Sequence, residues 1–235
     1  MSKMLQITGT GKLVYDQAQI PVLRRQFESE HILRLPSFID APILNRMLEH
    51  LETASLSKDL YYSNKTGLRV GNELAVDRAN AASNILYMLL NNSSLFGVIE
   101  QITGITPVKN FMGRIYHCLP NADHHIYWHD DNTNNRLIGI SVNLSKEPFV
   151  GGVLQLRDKT TQKLLGQVAN TGLGDAVIFR ISQDIEHRTT LLEGSVTRTA
   201  GAGWFHSQPD FQTLMQYCKS GQFGDQDLSV AESGA

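Results

Sequence analysis

The chain has little cysteine, no long apolar run and no excess of charge of either sign. Its 235 residues include 2 Cys, Cys118 and Cys218, far apart in sequence. That is no disulfide framework, and it excludes the small disulfide-stapled secreted domains. No stretch approaches the roughly 20 apolar residues a membrane-spanning helix needs. The opening residues, Met1-Ser2-Lys3-Met4-Leu5-Gln6, lack the apolar core of a secretory signal. The expectation is a cytoplasmic protein with no membrane association. Lys and Arg number 21 against 23 Asp and Glu, for a net charge of −2, and the basic residues are scattered rather than clustered. A nucleic-acid partner is therefore not expected. Internal repeats are also lacking. The length suits one domain with a sizeable core, placed at residues 1–220. The Gly/Ser/Asp-rich end, 221–235, reads as a disordered tail.

The punctuation along the chain predicts helices first and strands after. Val14 and Tyr15 fit a short strand, and His31 to Leu35 another, ending at Pro36. Asp40-Ala41-Pro42 predicts a helix start, with Asp40 as cap and Pro42 in the first turn. Its apolar stripe is Ile43, Leu44, Met47, Leu48 and Leu51. Residues 55–73 are polar and turn-prone and predict a loop, a candidate lid or substrate loop carrying Tyr61, Tyr62, Leu68 and Arg69. Leu74 to Leu90 predicts a second helix, and Ser93 to Thr103 a third, stopped at Gly104. From Pro107 onward the pattern is β: a strand through Tyr116, then Leu137–Leu144, Gly151–Arg157, Leu164–Ala169, Ala176–Phe179 and, after a turn at Glu193-Gly194, a strand carrying Arg198 and ending near Trp204-Phe205. Asp158 to Lys163 is a hairpin tip, and Pro209 to Lys219 predicts a closing helix.

The chemistry sits in the β region. His129-x-Asp131 is followed far downstream by His187 and then, eleven positions later, by Arg198. Two imidazoles and one carboxylate hold a non-haem Fe(II) and leave coordination positions open. An arginine after the second histidine offers a permanent planar cation to a dianionic cosubstrate. In extended chain, positions 129 and 131 point to one face, which sends Asp130 to solvent or to a supporting role. His206 competes for the place of the second histidine, but Tyr217 stands eleven positions after it, where a cation is needed. Zinc accepts the same three ligands, yet a zinc hydrolase leaves Arg198 unexplained.

The order of these elements resembles the 2-oxoglutarate/Fe(II)-dependent oxygenase superfamily, in particular its prolyl-4-hydroxylase-like branch. The resemblance covers about residues 108–206. It rests on Arg114-Ile115-Tyr116, His129-Asp130-Asp131, Gly151-Gly152, the run Gly174-Asp175-Ala176-Val177-Ile178-Phe179, His187 and Arg198. It implies a mainly β protein, a double-stranded β-helix (jelly roll) core with N-terminal helices packed on one side. It also implies Fe(II), 2-oxoglutarate and O2 as cofactor and cosubstrates, with ascorbate as a candidate additional reductant. His129, Asp131 and His187 would be the metal ligands and catalytic centre. Arg198 would hold the distal carboxylate of 2-oxoglutarate, helped by Tyr116 in preference to Thr197 or Thr199. Oxidative decarboxylation would then release succinate and CO2.

Substrate contacts are assigned to Arg69, Tyr62, Arg136 and His125. His124 and His125 read as a solvated loop or part of the entrance, His117 and Cys118 as ordinary packing, and Trp128 as core or pocket wall. The expected reaction is hydroxylation of an unactivated C–H of a small-molecule or amino-acid-like substrate. The alternatives are a prolyl or other side-chain hydroxylase acting on a peptide or protein, and a desaturase or cyclase using the same iron centre.

Overall fold

The computed structural model describes residues 4–62, 69–120, 124–133, 135–209 and 215, with backbone alone at 59, 61–62 and 69–70. The N-terminal part contains β1 (Leu5–Ile7), β2 (Leu13–Tyr15), α1 (Ile20–Glu30), β3 (Ile32–Leu35), α2 (Ala41–Leu51), β4 (Leu56–Tyr62), β5 (Arg69–Val76), α3 (Ala81–Leu90) and α4 (Ser93–Thr103). The rest is β: β6 (Asn110–Cys118), β7 (His125–His129), β8 (Arg136–Asn143), β9 (Val150–Gly151), β10 (Leu154–Asp158), β11 (Leu164–Val168), β12 (Ala176–Arg180), β13 (Ile185–Thr189), β14 (Leu192–Glu193) and β15 (Arg198–His206).

One antiparallel sheet runs β11-β10-β13-β7-β5-β6-β15-β8-β12-β3, with β4 paired to β5. Its two ends come back together, because Gly166 of β11 lies against Ile32 of β3 and the carbonyl of Glu30. The sheet is thus nearly closed, a jelly-roll core with helices outside. Strand alternation assigns the two faces. In β12, Ala176 and Ile178 join the core beneath the helices, whereas Val177 and Phe179 belong to a second cluster that lines the interior cavity. Both faces of β12 are covered, which is why its sequence is a continuous apolar run. In β15, Gly201 sits against Leu86 of α3, while Ala200, Ala202 and Trp204 line the cavity. Strand β15 lies between β6 and β8, and Phe205 packs on Phe96 and Phe111.

Several boundaries differ from the sequence reading. Residues 55–73 are mostly strand: β4 and β5 form a hairpin, and its tip, 63–68, lies outside the described residues. Buried polar residues in β5, Asn72 and Glu73, hide its alternation. The second helix starts at Ala81, not Leu74, because Leu74 to Val76 complete β5 and Asn80 caps α3 through the Ala82 N–H. Asp40 stands at the α2 N-cap but makes no cap hydrogen bond; its Oδ2 accepts instead from Gly9 N at 2.8 Å, tying the β1–β2 turn to α2. β1 and α1 were not anticipated. α1 buries only Ile20, Leu23 and Phe27, a thin stripe among charged residues that closes at His31 with φ 59°. Gly151 and Gly152 break the expected 151–157 strand in two. Both have positive φ, and a Cβ at 151 would fall 2.0 Å from the Leu191 carbonyl. The predicted helix over 209–219 lies almost wholly outside the described residues. No helix among the described residues is long and apolar enough to cross a membrane.

Candidate metal centre

His129 ends β7 and His187 sits mid-strand in β13, directly across the antiparallel ladder from it. Cross-strand partners share a face and lie close, and the two rings are 4.2 Å apart between centroids. Asp131 joins them by a different route from the extended alternation expected. β7 has ended by then, and Asp131 takes φ 49°, a left-handed conformation that turns its carboxylate back over the histidines. Its Oδ2 is 3.4 Å from His129 Nε2 and 3.2 Å from His187 Nε2. One ligand atom from each residue lies within 4.8 Å of the others. Ligands about 2.1 Å from one ion, set at right angles, stand about 3.0 Å apart, so the three donors fit a single metal.

The surroundings fix the donors. His129 Nδ1 is 2.7 Å from the Tyr127 carbonyl, which leaves Nε2 to face the centre. Trp204 Nε1 donates to Asp131 Oδ2 at 2.9 Å. Arg136 lies over the Trp204 ring at 3.7 Å, with Nη1 3.5 Å from Asp131 Oδ1. Phe179 packs against His187 at 4.7 Å between centroids. Burial opposes charge on all three ligand side chains. For Asp131 the two histidines outweigh it and hold the carboxyl well below its ordinary range. For His129 the neighbouring carboxylate also prevails and raises its pKa, whereas burial and the charge of His129 lower that of His187. A divalent cation would take this carboxylate ionised and both imidazoles neutral.

The centre opens into a cavity of about 730 Å³. Arg198 and Tyr116 both line it. Arg198 is 11% exposed in its side chain, and its Nη2 donates to Ser141 Oγ at 3.1 Å. Thr199 faces the other way, its hydroxyl 3.1 Å from His117 Nδ1. Arg136 reaches the cavity through its contacts with Asp131 and Trp204. His125 does not line it; the ring is buried and stacks on Tyr127 at 4.0 Å. His124 is also buried, its Nδ1 accepting from Leu119 N, so neither histidine is a solvated loop residue. Tyr62 and Arg69 face each other across the end of the β4–β5 ladder, and their side chains lie outside the description. Trp128 is half-buried and lines the cavity as a wall, with Arg157 and Arg188 over its ring at 4.2 and 4.6 Å. Asp130 points away from the centre and accepts from Lys159 Nζ at 2.6 Å. The sequence reading missed Trp204, Ser141 and Glu73.

Residues 113–206 match the family model of the 2OG-Fe(II) oxygenase superfamily. Over that segment the chain is similar to this superfamily, whose members use Fe(II), 2-oxoglutarate and O2. No curated protein sequence matches the chain. Among solved structures it is similar to a 2OG-Fe(II) oxygenase-family oxidoreductase from Burkholderia pseudomallei, with 13% identity, a TM-score of 0.62, and coverage of 83% of this chain and 94% of that one. It is also similar to a Pseudomonas putida prolyl-4-hydroxylase, with 15% identity, a TM-score of 0.57, and coverage of 81% and 100%. A third is the epimerase SnoN in complex with Fe3+, alpha ketoglutarate and nogalamycin RO, with 13% identity, a TM-score of 0.56, and coverage of 81% and 84%. At such identities these likenesses describe the fold.

Proposed function

We propose that the protein is a cytoplasmic Fe(II)/2-oxoglutarate-dependent hydroxylase of a small-molecule or amino-acid-like substrate. The observation that carries this reading is the placement of the His129, Asp131 and His187 donors in the same cavity as the buried guanidinium of Arg198. His129, Asp131 and His187 would hold the iron, and Arg198, with Tyr116 beside it, the distal carboxylate of 2-oxoglutarate. When bound, the iron and keto acid supply the oxidation of substrate, with release of succinate and CO2.

The protein's own part is orientation and exclusion of water. The Tyr127 carbonyl fixes the His129 ring, and Trp204 and Arg136 fix Asp131. Arg198 offers a planar pair of donors, suited to a carboxylate. Val177, Phe179, Ala200 and Ala202 form apolar walls between these polar groups. The cavity volume falls in the range of sites for small ligands, about 300–1,000 Å³, and this favours a small substrate. A peptide substrate is the second reading. It is supported by the exposed rim at Leu60 and Tyr127, 36% and 56% exposed, and by the prolyl-hydroxylase fold likeness.

Succinate release, measured with Fe(II), 2-oxoglutarate and ascorbate over panels of amino acids, small metabolites and proline-containing peptides, tests the proposal. A substrate-dependent burst of succinate with an oxygenated product is expected. Succinate formation that persists in His129→Ala and Asp131→Ala would refute it.

A further inference from the structure

Arg136 opens β8 at the metal end of the cavity, which it lines together with Asn132, Thr133 and Trp204. Its guanidinium stands over the Trp204 indole, 3.7 Å from the ring centroid, and its side chain is 25% exposed. Nη1 is the nitrogen with an acceptor. It lies 3.5 Å from Asp131 Oδ1 and 3.5 Å from the Asp131 carbonyl, both at the long limit of a hydrogen bond. Among the described residues, Nε and Nη2 have no hydrogen-bond partner, and Asp131 is the ion-pair partner of this guanidinium. The indole thus holds in place a cation whose donor edge is largely open. The other lysine and arginine side chains lining the cavity, among the described residues, are engaged elsewhere. Arg198 donates to Ser141 and is assigned to 2-oxoglutarate, and Lys159 Nζ is 2.6 Å from Asp130 Oδ2.

A divalent ion held by His129, Asp131 and His187 draws on the same carboxylate that faces Arg136. The guanidinium then stays desolvated while its partner is shared, a state that a second anion relieves. We propose that Arg136 anchors a carboxylate of the substrate, so that the enzyme acts on small carboxylic acids. This rests on the oxygenase reading above and names its substrate class. A guanidinium edge presents paired N–H donors that match the two oxygens of a carboxylate. One open edge supplies one charge, that of a monocarboxylate. An acid anchored there stands beside Asp131, and the cavity walls at Val177, Phe179 and Ala202 are apolar and suit its carbon chain. Arg136 is then a specificity-determining residue.

The test is the relaxation of probe protons by Mn(II) in the metal site. The protein is loaded with Mn(II), which replaces oxygen-sensitive Fe(II), and saturated with 2-oxoglutarate. The probes are free amino acids and short aliphatic monocarboxylic acids, each compared with its primary amide. Mn(II) broadens the signals of probes bound near it, so the readout is binding and needs no turnover. At least one acid should bind, about ten- to a hundredfold tighter than its amide, as hydrogen bonds to a charged group allow. In Arg136→Gln, at saturating Mn(II), that acid should fall to the level of its amide, with the amide little changed. A purely structural role for Arg136 at Asp131 would weaken acid and amide alike and keep their ratio, and that result would overturn the proposal. So would amides that bind wild type as well as their acids do, or the absence of any acid relaxed by the metal. Should Arg136→Gln not fold, Arg136→Met, which keeps an unbranched stem over Trp204, carries the same comparison. If Mn(II)-loaded wild type does not bind 2-oxoglutarate, the oxygenase reading fails and this inference with it. A protein that binds 2-oxoglutarate but shows no preference for acids contradicts this inference alone.

Discussion

Asp131 gathers three contacts on one oxygen. Oδ2 lies 3.4 and 3.2 Å from the two histidine nitrogens and accepts the Trp204 indole N–H at 2.9 Å. Its backbone is left-handed, a conformation costly for a residue with a side chain, and such residues cluster where geometry is imposed for function. The indole hydrogen bond and the Arg136 guanidinium stacked on that ring hold the carboxylate in place. Partners of metal ligands are commonly worth about 10–100-fold in metal affinity. Trp204→Phe, which keeps the ring under Arg136 but removes the donor, should weaken Mn(II) binding by about that factor with little loss of thermal stability. Calorimetric titration of the metal and a melting curve decide it; undiminished affinity would make Trp204 a packing residue only.

At the scale of elements, the centre depends on how β7, β8, β12 and β13 stack their side chains. Gly139 in β8 faces Phe179 in β12, and a Cβ there would lie 2.1 Å from the Phe179 ring. That ring in turn packs on His187. Gly139→Ala should therefore cost about 1–3 kcal/mol by overpacking and push Phe179 against a metal ligand. Urea denaturation would show the lost stability, and a parallel loss of metal affinity would show the transmission. Loss of stability with unaltered metal binding would mean that the ring yields elsewhere.

Elements whose residues serve packing alone were legible. The 93–103 helix with its Gly104 stop and the apolar 176–179 strand follow from periodicity and capping. β4 and β5 were not, because their polar residues are buried around the cavity and the alternation of a half-buried strand is lost. The metal ligands were legible as residue types in order. The turn at Asp131 was not, since a positive φ at aspartate leaves no mark in composition. Nor was the bond from Trp204, since a tryptophan beyond an arginine in a strand is indistinguishable from core.

For the whole molecule, buried histidines link fold stability to pH. His206, near the end of β15, is driven by burial and then by the Arg136 charge from an ordinary 6.5 to about 4. Below pH 6.5 the unfolded chain takes up this proton and the folded one does not, so stability falls as pH drops from 6.5 and levels off near 4. The interval corresponds to about 3 kcal/mol. His31 and His117, also lowered by burial, act in the same direction. His206→Gln should lose less stability than wild type between pH 6.5 and 4.5, as read by urea unfolding at each pH. Parallel curves would remove His206 from the account.

The most direct test of the whole reading is an anaerobic crystal structure with Mn(II) and 2-oxoglutarate. The account predicts one metal ion bound by His129, Asp131 and His187, with the distal carboxylate of the keto acid on Arg198. A metal held by other residues, or a keto acid whose distal carboxylate lies away from Arg198, would contradict it.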